Sequence, residues 1–258
     1  MRVRRLGWAG VEVESAGQTL VVDLVTESGL LTSVLPDGAL LPAREGAVAA
    51  LCTHLHSDHA DPVAIENVLA PDGIVLRPAA FGGSTAENLW TVLAERGFAA
   101  RSLDVRTVTD WQTVTVGPFG ITAVPAVDGL GDPQVSWVIS ADGGRIFHGG
   151  DTVFHGFWWL IAGRCGPVDA AFLPINGAAV NFPQRQPPSP LPAVLTPEQA
   201  IVAGKILGAR EVIPIHYGVE GQPAYVEVAD PVTDLLHAAK VHGVHARIVR
   251  PGEQITIG

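Results

Sequence analysis

Cysteine is nearly absent. The 258 residues hold two, Cys52 and Cys165, far apart and outside any CxxC spacing. That excludes a disulfide framework and a cysteine-based zinc site, and leaves two reduced, mostly buried thiols as the expectation. Charge is also scarce, at 16% of residues, and it is lopsided, with 16 basic against 26 acidic side chains and a net charge of −10. Binding nucleic acid or an anionic membrane surface requires a concentrated cationic face, and the basic residues here are scattered. No apolar run reaches the roughly 18 residues that a membrane-spanning helix needs. The opening MRVRRLGWAGVEVE alternates charged and apolar residues, so it reads as a strand and not as a signal peptide. A cytoplasmic protein with neither nucleic acid nor membrane as partner is the expectation; a homo-oligomer is left open.

What is abundant is apolar residues (47%), Gly (29) and Pro (20), the mixture of a chain built from short strands and tight turns. RVRRL, GVEVES and TLVVDL read as a β-meander, followed by a Gly/Pro-punctuated loop through Pro42 and the strand VAALCT. Asp61-Pro62 is a helix start, with Asp as N-cap and Pro at the first position. GIVLRP is a strand, and TAENLWTVLAERG carries helical spacing that stops at Gly97. The strands WQTVTV, FGITAVPAV, VSWVIS and RIFHG follow, then the buried strand DAAFLPI. FPQRQPPSPLP is too proline-rich for helix or sheet and reads as a surface loop or lid. The helix PEQAIVAGKILG, the strand EVIPIH, the helix VTDLLHAAKVHG and the strands ARIVR and QITI close the chain. No linker or short repeat interrupts residues 1–258. Two comparable halves of strands and helices imply a single α/β domain, with two mixed sheets packed together and helices outside.

Three of the nine histidines fall in THLHSDHAD (Thr53 to Asp61). Residues two apart at a strand end point the same way, so His54 and His56 can present two imidazoles to one ion. Beyond the turn, Asp58 and His59 offer ligands to a neighbouring position, and a mixture of imidazole and carboxylate suits borderline divalent metals such as zinc. Further ligands must come from elsewhere. Asp151 in HGGDT, His216 at the end of EVIPIH and Asp128 after ITAVPAV all stand at the mouths of apolar strands.

HLHSDH fits the HxHxDH motif of the metallo-β-lactamase-fold hydrolases, and GGDT and IPIHYG resemble that superfamily's later metal-ligand segments. TLVVDL with Asp23 resembles its early strand. Within the superfamily, VDAAFLPING, TPEQA and PIHYG look most like the branch containing ascorbate-6-phosphate lactonase and the N-acyl-phosphatidylethanolamine phospholipase D-like proteins. The resemblance implies a four-layer αββα sandwich and two divalent metal ions, zinc first with manganese or iron as alternatives. His54 and His56 would hold the first metal, Asp58, His59 and His216 the second, with Asp151 bridging. It also implies a bridging water that attacks a carbonyl or phosphorus centre, with Asp58 orienting it or carrying a proton.

The third ligand of the first metal is normally histidine in that superfamily, and here the position is Asp128. Either Asp128 ligates, or the first site is weakened to one metal or to lost turnover; the first reading is preferred because carboxylates are competent ligands. Around the site, Phe154 and Trp158 in FHGFWWL either pack a helix against the sheets or form an apolar pocket wall, Phe182 and Arg185 lie on the proline-rich loop, and Tyr217 either packs or donates to a developing oxyanion. The expected activity is hydrolysis of a small ester, lactone or phosphoester. The alternatives are a phosphodiesterase or nuclease of the same fold, or a silent metal-binding domain.

Overall fold

A computed structural model describes residues 1–27 and 31–258. Three antiparallel strands open the chain, β1 (Arg2–Gly7), β2 (Gly10–Ser15) and β3 (Gln18–Val22). The Gly/Pro loop that follows is described apart from residues 28–30, which lie outside the described residues. Then β4 (Ala47–Leu51), β5 (Leu69–Pro78) and β6 (Asp104–Val108) add in parallel. With the last strand, β15 (Gln254–Thr256), they form a seven-stranded sheet in the order β15-β1-β2-β3-β4-β5-β6. The second sheet uses β7 (Thr113–Val116), β8 (Phe119–Pro125), β9 (Val135–Ala141), β10 (Gly144–His148), β11 (Ala170–Pro174) and β13 (Glu211–Ile215). Their spatial order is β13-β11-β10-β9-β8-β7, with the last three pairs antiparallel and the first two parallel. Two short strands, β12 (Ala179–Val180) and β14 (Tyr225–Val226), pair with each other.

The layers follow from period-two alternation in strands that are buried on both faces. On β3, Leu20 and Val22 face the inter-sheet core while Val21 faces away; on β4, Ala49 and Leu51 face in and Ala50 away. Across the gap, Phe119, Ile121, Trp137, Ile139, Phe172 and Ile213 complete that core. The outer face of the first sheet is covered by α1 (Pro62–Val68) and α2 (Val92–Ala99) through Ile65, Val68 and Phe98. The outer face of the second sheet is covered by α3 (Trp158–Cys165), α4 (Pro197–Ile206) and α5 (Pro231–His242) through Ile161, Ile201 and Leu235. Three apolar cores between four layers constitute the αββα sandwich.

Several elements differ from the sequence expectation. The helix read over TAENLWTVLAERG begins only at Val92; residues 79–87 are exposed and so lack a buried face, and Asn88 Nδ2 and Glu87 Oε2 bond back to Ser84 in turns. The strand expected at ARIVR is reduced to one bridge, Ala246 to Val212, because the chain there leaves the second sheet to reach β15 in the first. β6 has no counterpart in the sequence expectation, because Asp104 and Arg106 on the exposed edge strand hide its alternation, whereas α3 matches the reading of FHGFWWL as a helix packed against the sheets.

Phe172 is fully buried at the centre of the inter-sheet core. Phe172→Ala should lower unfolding free energy by about 3–5 kcal/mol, read as a shifted urea midpoint with unchanged slope; a change under about 1 kcal/mol would contradict this packing.

Candidate metal centre

Parallel strands end on one edge of the sandwich, and the candidate residues lie on the loops that leave it. The loop after β4 is held by Asp23, 1% exposed, at the end of β3 in a left-handed conformation (φ 46°). Thr53 donates to it twice, N to Oδ1 and Oγ1 to Oδ2, both at 2.8 Å, and His59 Nδ1 donates to Oδ2 at 2.8 Å. At the far end Asp61 caps α1 by accepting from Val63 N and Ala64 N.

These contacts assign the imidazole tautomers. Thr53 Oγ1 has given its proton to Asp23, so at 3.0 Å it accepts from His54 Nδ1 and leaves His54 Nε2 as a bare acceptor. His59 Nδ1 is spent on Asp23, again leaving Nε2. His56 reverses the pattern: its Nε2 donates to Asp132 Oδ2 at 2.9 Å, leaving Nδ1. His148, by contrast, uses both nitrogens, donating from Nε2 to Ala9 O and accepting from Gly150 N, and is structural.

Asp151 follows β10 through Gly149-Gly150. Gly150 sits at φ +61°, and a Cβ there would lie 2.6 Å from Thr53 Oγ1, so glycine is required for the close approach of the two loops. Asp151 Oδ1 lies 2.9 Å from His59 Nε2 and 2.8 Å from His216 Nε2, while its Oδ2 is 4.0 Å from His54 Nε2. Neither imidazole nitrogen makes a hydrogen bond despite that proximity, and the same holds for His54 Nε2 and Asp151 Oδ1. His216, also left-handed (φ 58°), has its ring centroid 4.0 Å from that of Trp8. Trp8 Nε1 donates to Asp58 Oδ2 at 3.1 Å.

Asp128 is 7% exposed and forms an isolated β-bridge with Thr152, which sets it beside Asp151. Its Oδ2 accepts from Leu130 N and Asp132 N at 3.0 and 2.9 Å, so one carboxylate oxygen is anchored and the other is directed by it. The seven side chains thus gather into two groups whose potential ligand atoms lie within 4.8 Å of one another, Asp58, His59, Asp151 and His216 in one, His54, His56 and Asp128 in the other. Buried, convergent lone pairs without hydrogen-bond partners are what a bound cation would satisfy, so the donor set fits divalent metals.

Protonation in the metal-free site is set by competition between burial and charge. Burial, added to by His59 and His56, pushes His54 well below its usual value. Burial also opposes the charged forms of His59 and His216, but Asp151 and Asp58, joined by Asp23 at His59, together outweigh it, raising His59 well above normal and His216 to about 8. Burial raises Asp128 to about 6 despite His56.

Other sequence expectations are relocated. Trp158 is fully buried and packs with Phe147 and Phe154 under the second sheet, so neither Phe154 nor Trp158 is a pocket wall. Tyr217 offers its hydroxyl to Arg5 Nη1 at 3.2 Å, and its ring lies beneath that guanidinium; packing explains it. Arg185 Nη2 stands 3.9 Å from Asp132 Oδ2 and so faces the His56–Asp132 pair. Phe182 does line a cavity of about 120 Å³, with Trp8, Leu31, Val34, Val219 and Tyr225, and Asp58 at its end. Asp132, Thr53 and Tyr225 escaped the sequence reading; only Asp132 left a trace, as a second carboxylate four residues after Asp128.

The fold and this constellation define a metallo-β-lactamase-fold protein with two candidate metal-binding clusters. The chain belongs to the beta-lactamase superfamily domain family, whose profile matches residues 23–217. It is 30% identical, over the whole of both chains, to a UPF0173 metal-dependent hydrolase of Geobacillus thermodenitrificans. Among solved structures, an isothiocyanate hydrolase from Delia radicum gut bacteria superposes with TM-score 0.69 at 18% identity over all of both chains. CmlA, a diiron β-hydroxylase of Streptomyces venezuelae, superposes with TM-score 0.71 at 20% identity over 99% of this chain and 53% of its own. No helix among the described residues is long and apolar enough to cross a membrane.

A histidine whose folded pKa is raised contributes stability that is complete below its unfolded value of about 6.5 and is lost as pH rises through the folded value. For His216 that window ends near 8, and for His59 it extends higher. Chelator-stripped protein should therefore melt roughly 5 °C lower at pH 9 than at pH 6.5, in differential scanning calorimetry. A melting temperature that is flat or rises over that interval would contradict the assignment.

Proposed function

We propose that His54, His56 and Asp128 hold one divalent metal ion, that Asp58, His59 and His216 hold a second, and that Asp151 bridges them in a metal-dependent hydrolase of small esters or lactones. The observation that carries this reading is Asp151, whose Oδ1 faces His59 and His216 while its Oδ2 faces His54. The names of the metal-dependent hydrolase relatives support it. Two divalent ions in such a site lower the pKa of a shared water toward neutrality and polarise the substrate oxygen.

The protein's own residues do the rest. Asp23, Thr53 and Asp132 hold the tautomers in which His54, His56 and His59 turn a lone pair inward. Trp8 fixes one oxygen of Asp58, which leaves the other to orient the attacking water and to carry its proton toward the leaving oxygen.

Asp128 decides the substrate charge. Against four positive charges on two ions, Asp58, Asp128 and Asp151 cancel three, where histidine at 128 would leave two cancelled. A less positive centre holds phosphate monoesters and diesters less strongly and favours neutral carbonyl substrates. It also favours oxygen-preferring metals, so manganese and iron stand beside zinc; the diiron protein with this fold supports including iron. With Arg185 facing Asp132 and a net charge of −10, the nuclease alternative is the less favoured reading.

The test is hydrolysis of p-nitrophenyl acetate by protein stripped with chelator and then reloaded with zinc or manganese. Activity should vanish on stripping and return on reloading, and His54→Ala should lower it by about 100-fold or more. Activity indifferent to chelator and to His54→Ala would overturn the reading.

A further inference from the structure

The cavity next to Asp58 has a shape and chemistry that the metal ligands do not explain. Its volume is about 120 Å³, and Trp8, Leu31, Val34, Phe182, Val219 and Ala224 line it together with Gln222 and Tyr225. Among the described residues no lysine or arginine lines it, and its one ionised group is Asp58. A phosphate or sulfonate seated among these walls would lose its water with no lysine or arginine to replace it. An apolar cavity of roughly 150 Å³ accepts benzene, so this one has room for about four or five carbons.

Tyr225 and Gln222 are the neutral polar residues of the lining, and Tyr225 is the one held by a hydrogen bond to a buried side chain. Its hydroxyl oxygen accepts from Asn176 Nδ2 at 2.7 Å, and Asn176 is fully buried and bonded in turn to Glu227 Oε1. Glu227 is fixed by Gly218 N and Val219 N at 2.9 and 3.1 Å. The phenol is thus held by an acceptor role, while its own proton meets no protein acceptor among the described residues. Burial, with the charges of Asp151 and Asp58 nearby, keeps that proton in place well above the usual phenol range.

We propose that this cavity is the acyl subsite, that it takes the chain of a neutral ester or lactone with a short apolar acyl group, and that Tyr225 donates a hydrogen bond to the carbonyl oxygen. The proposal rests on the hydrolase reading above. In the reaction, water adds to the carbonyl carbon and the C=O pair moves onto the oxygen that Tyr225 faces. The pair then returns as the C–O bond to the alcohol breaks. Acid and alcohol account for every atom, nothing is oxidised or reduced, and Tyr225 keeps its proton throughout.

Binding of the two product carboxylates acetate and butyrate, measured by calorimetry on zinc-loaded protein, separates the parts. Wild type should bind butyrate about tenfold tighter than acetate, from two further buried methylenes. Ala224→Leu, which fills the cavity, should erase that difference. Tyr225→Phe should weaken both ligands alike by about tenfold, with zinc content unchanged by elemental analysis. Equal affinity of wild type for acetate and butyrate, or a preference that survives Ala224→Leu, overturns the subsite. Unweakened binding to Tyr225→Phe overturns the donor. If the binding pattern holds while no p-nitrophenyl ester is turned over, the subsite stands and the hydrolase reading fails.

Discussion

Asp23 is a carboxylate sealed inside the protein, and it is tolerable there only because Thr53 N, Thr53 Oγ1 and His59 Nδ1 all donate to it. The rest of the site depends on that set of bonds. Thr53 spends its proton on Asp23, so it must accept from His54, and His54 is thereby compelled to face inward with a bare Nε2. His59 is oriented by the same carboxylate. The loop that carries both histidines also touches Gly150, and that contact brings Asp151 between them. One buried acid at a strand end therefore fixes three side chains from two sheets.

The second consequence concerns charge. The candidate centre gathers three carboxylates, Asp58, Asp128 and Asp151, where the wider superfamily pattern has two. Asp128 is no accident of a flexible loop, since two backbone N–H groups hold its Oδ2 and a bridge to Thr152 fixes its place. The third carboxylate, the cavity beside Asp58 and the protonated Tyr225 each support the proposed preference for neutral carbonyl substrates. The three features come from separate loops, so their agreement is informative.

Much of this was legible in the sequence. Alternation in TLVVDL and VSWVIS gave the two-faced strands, and HLHSDH, GGDT and PIHYG marked the loops that converge. What could not be read depends on contacts between distant segments. Asp132 sits in DGLGD, and nothing in the string shows that it bonds His56, 76 residues away in the chain. Tyr217 adjoins His216 in sequence, yet the left-handed turn at His216 sends it to Arg5, and Tyr225 takes the cavity. For FHGFWWL the string leaves a packed helix and a pocket wall equally open, and the packed helix is what forms, with Trp158 beneath the second sheet. Neighbours along the chain are poor guides where the backbone reverses at a strand end.

The central claim is that Asp128 completes, with His54 and His56, one of two metal positions. Crystals of the protein grown with manganese, measured for anomalous scattering at the metal's absorption edge, test it most directly. Two peaks per chain are predicted, one among Asp58, His59, Asp151 and His216 and one among His54, His56 and Asp128. A single peak at the first group, with His54 and His56 free of metal, would contradict it.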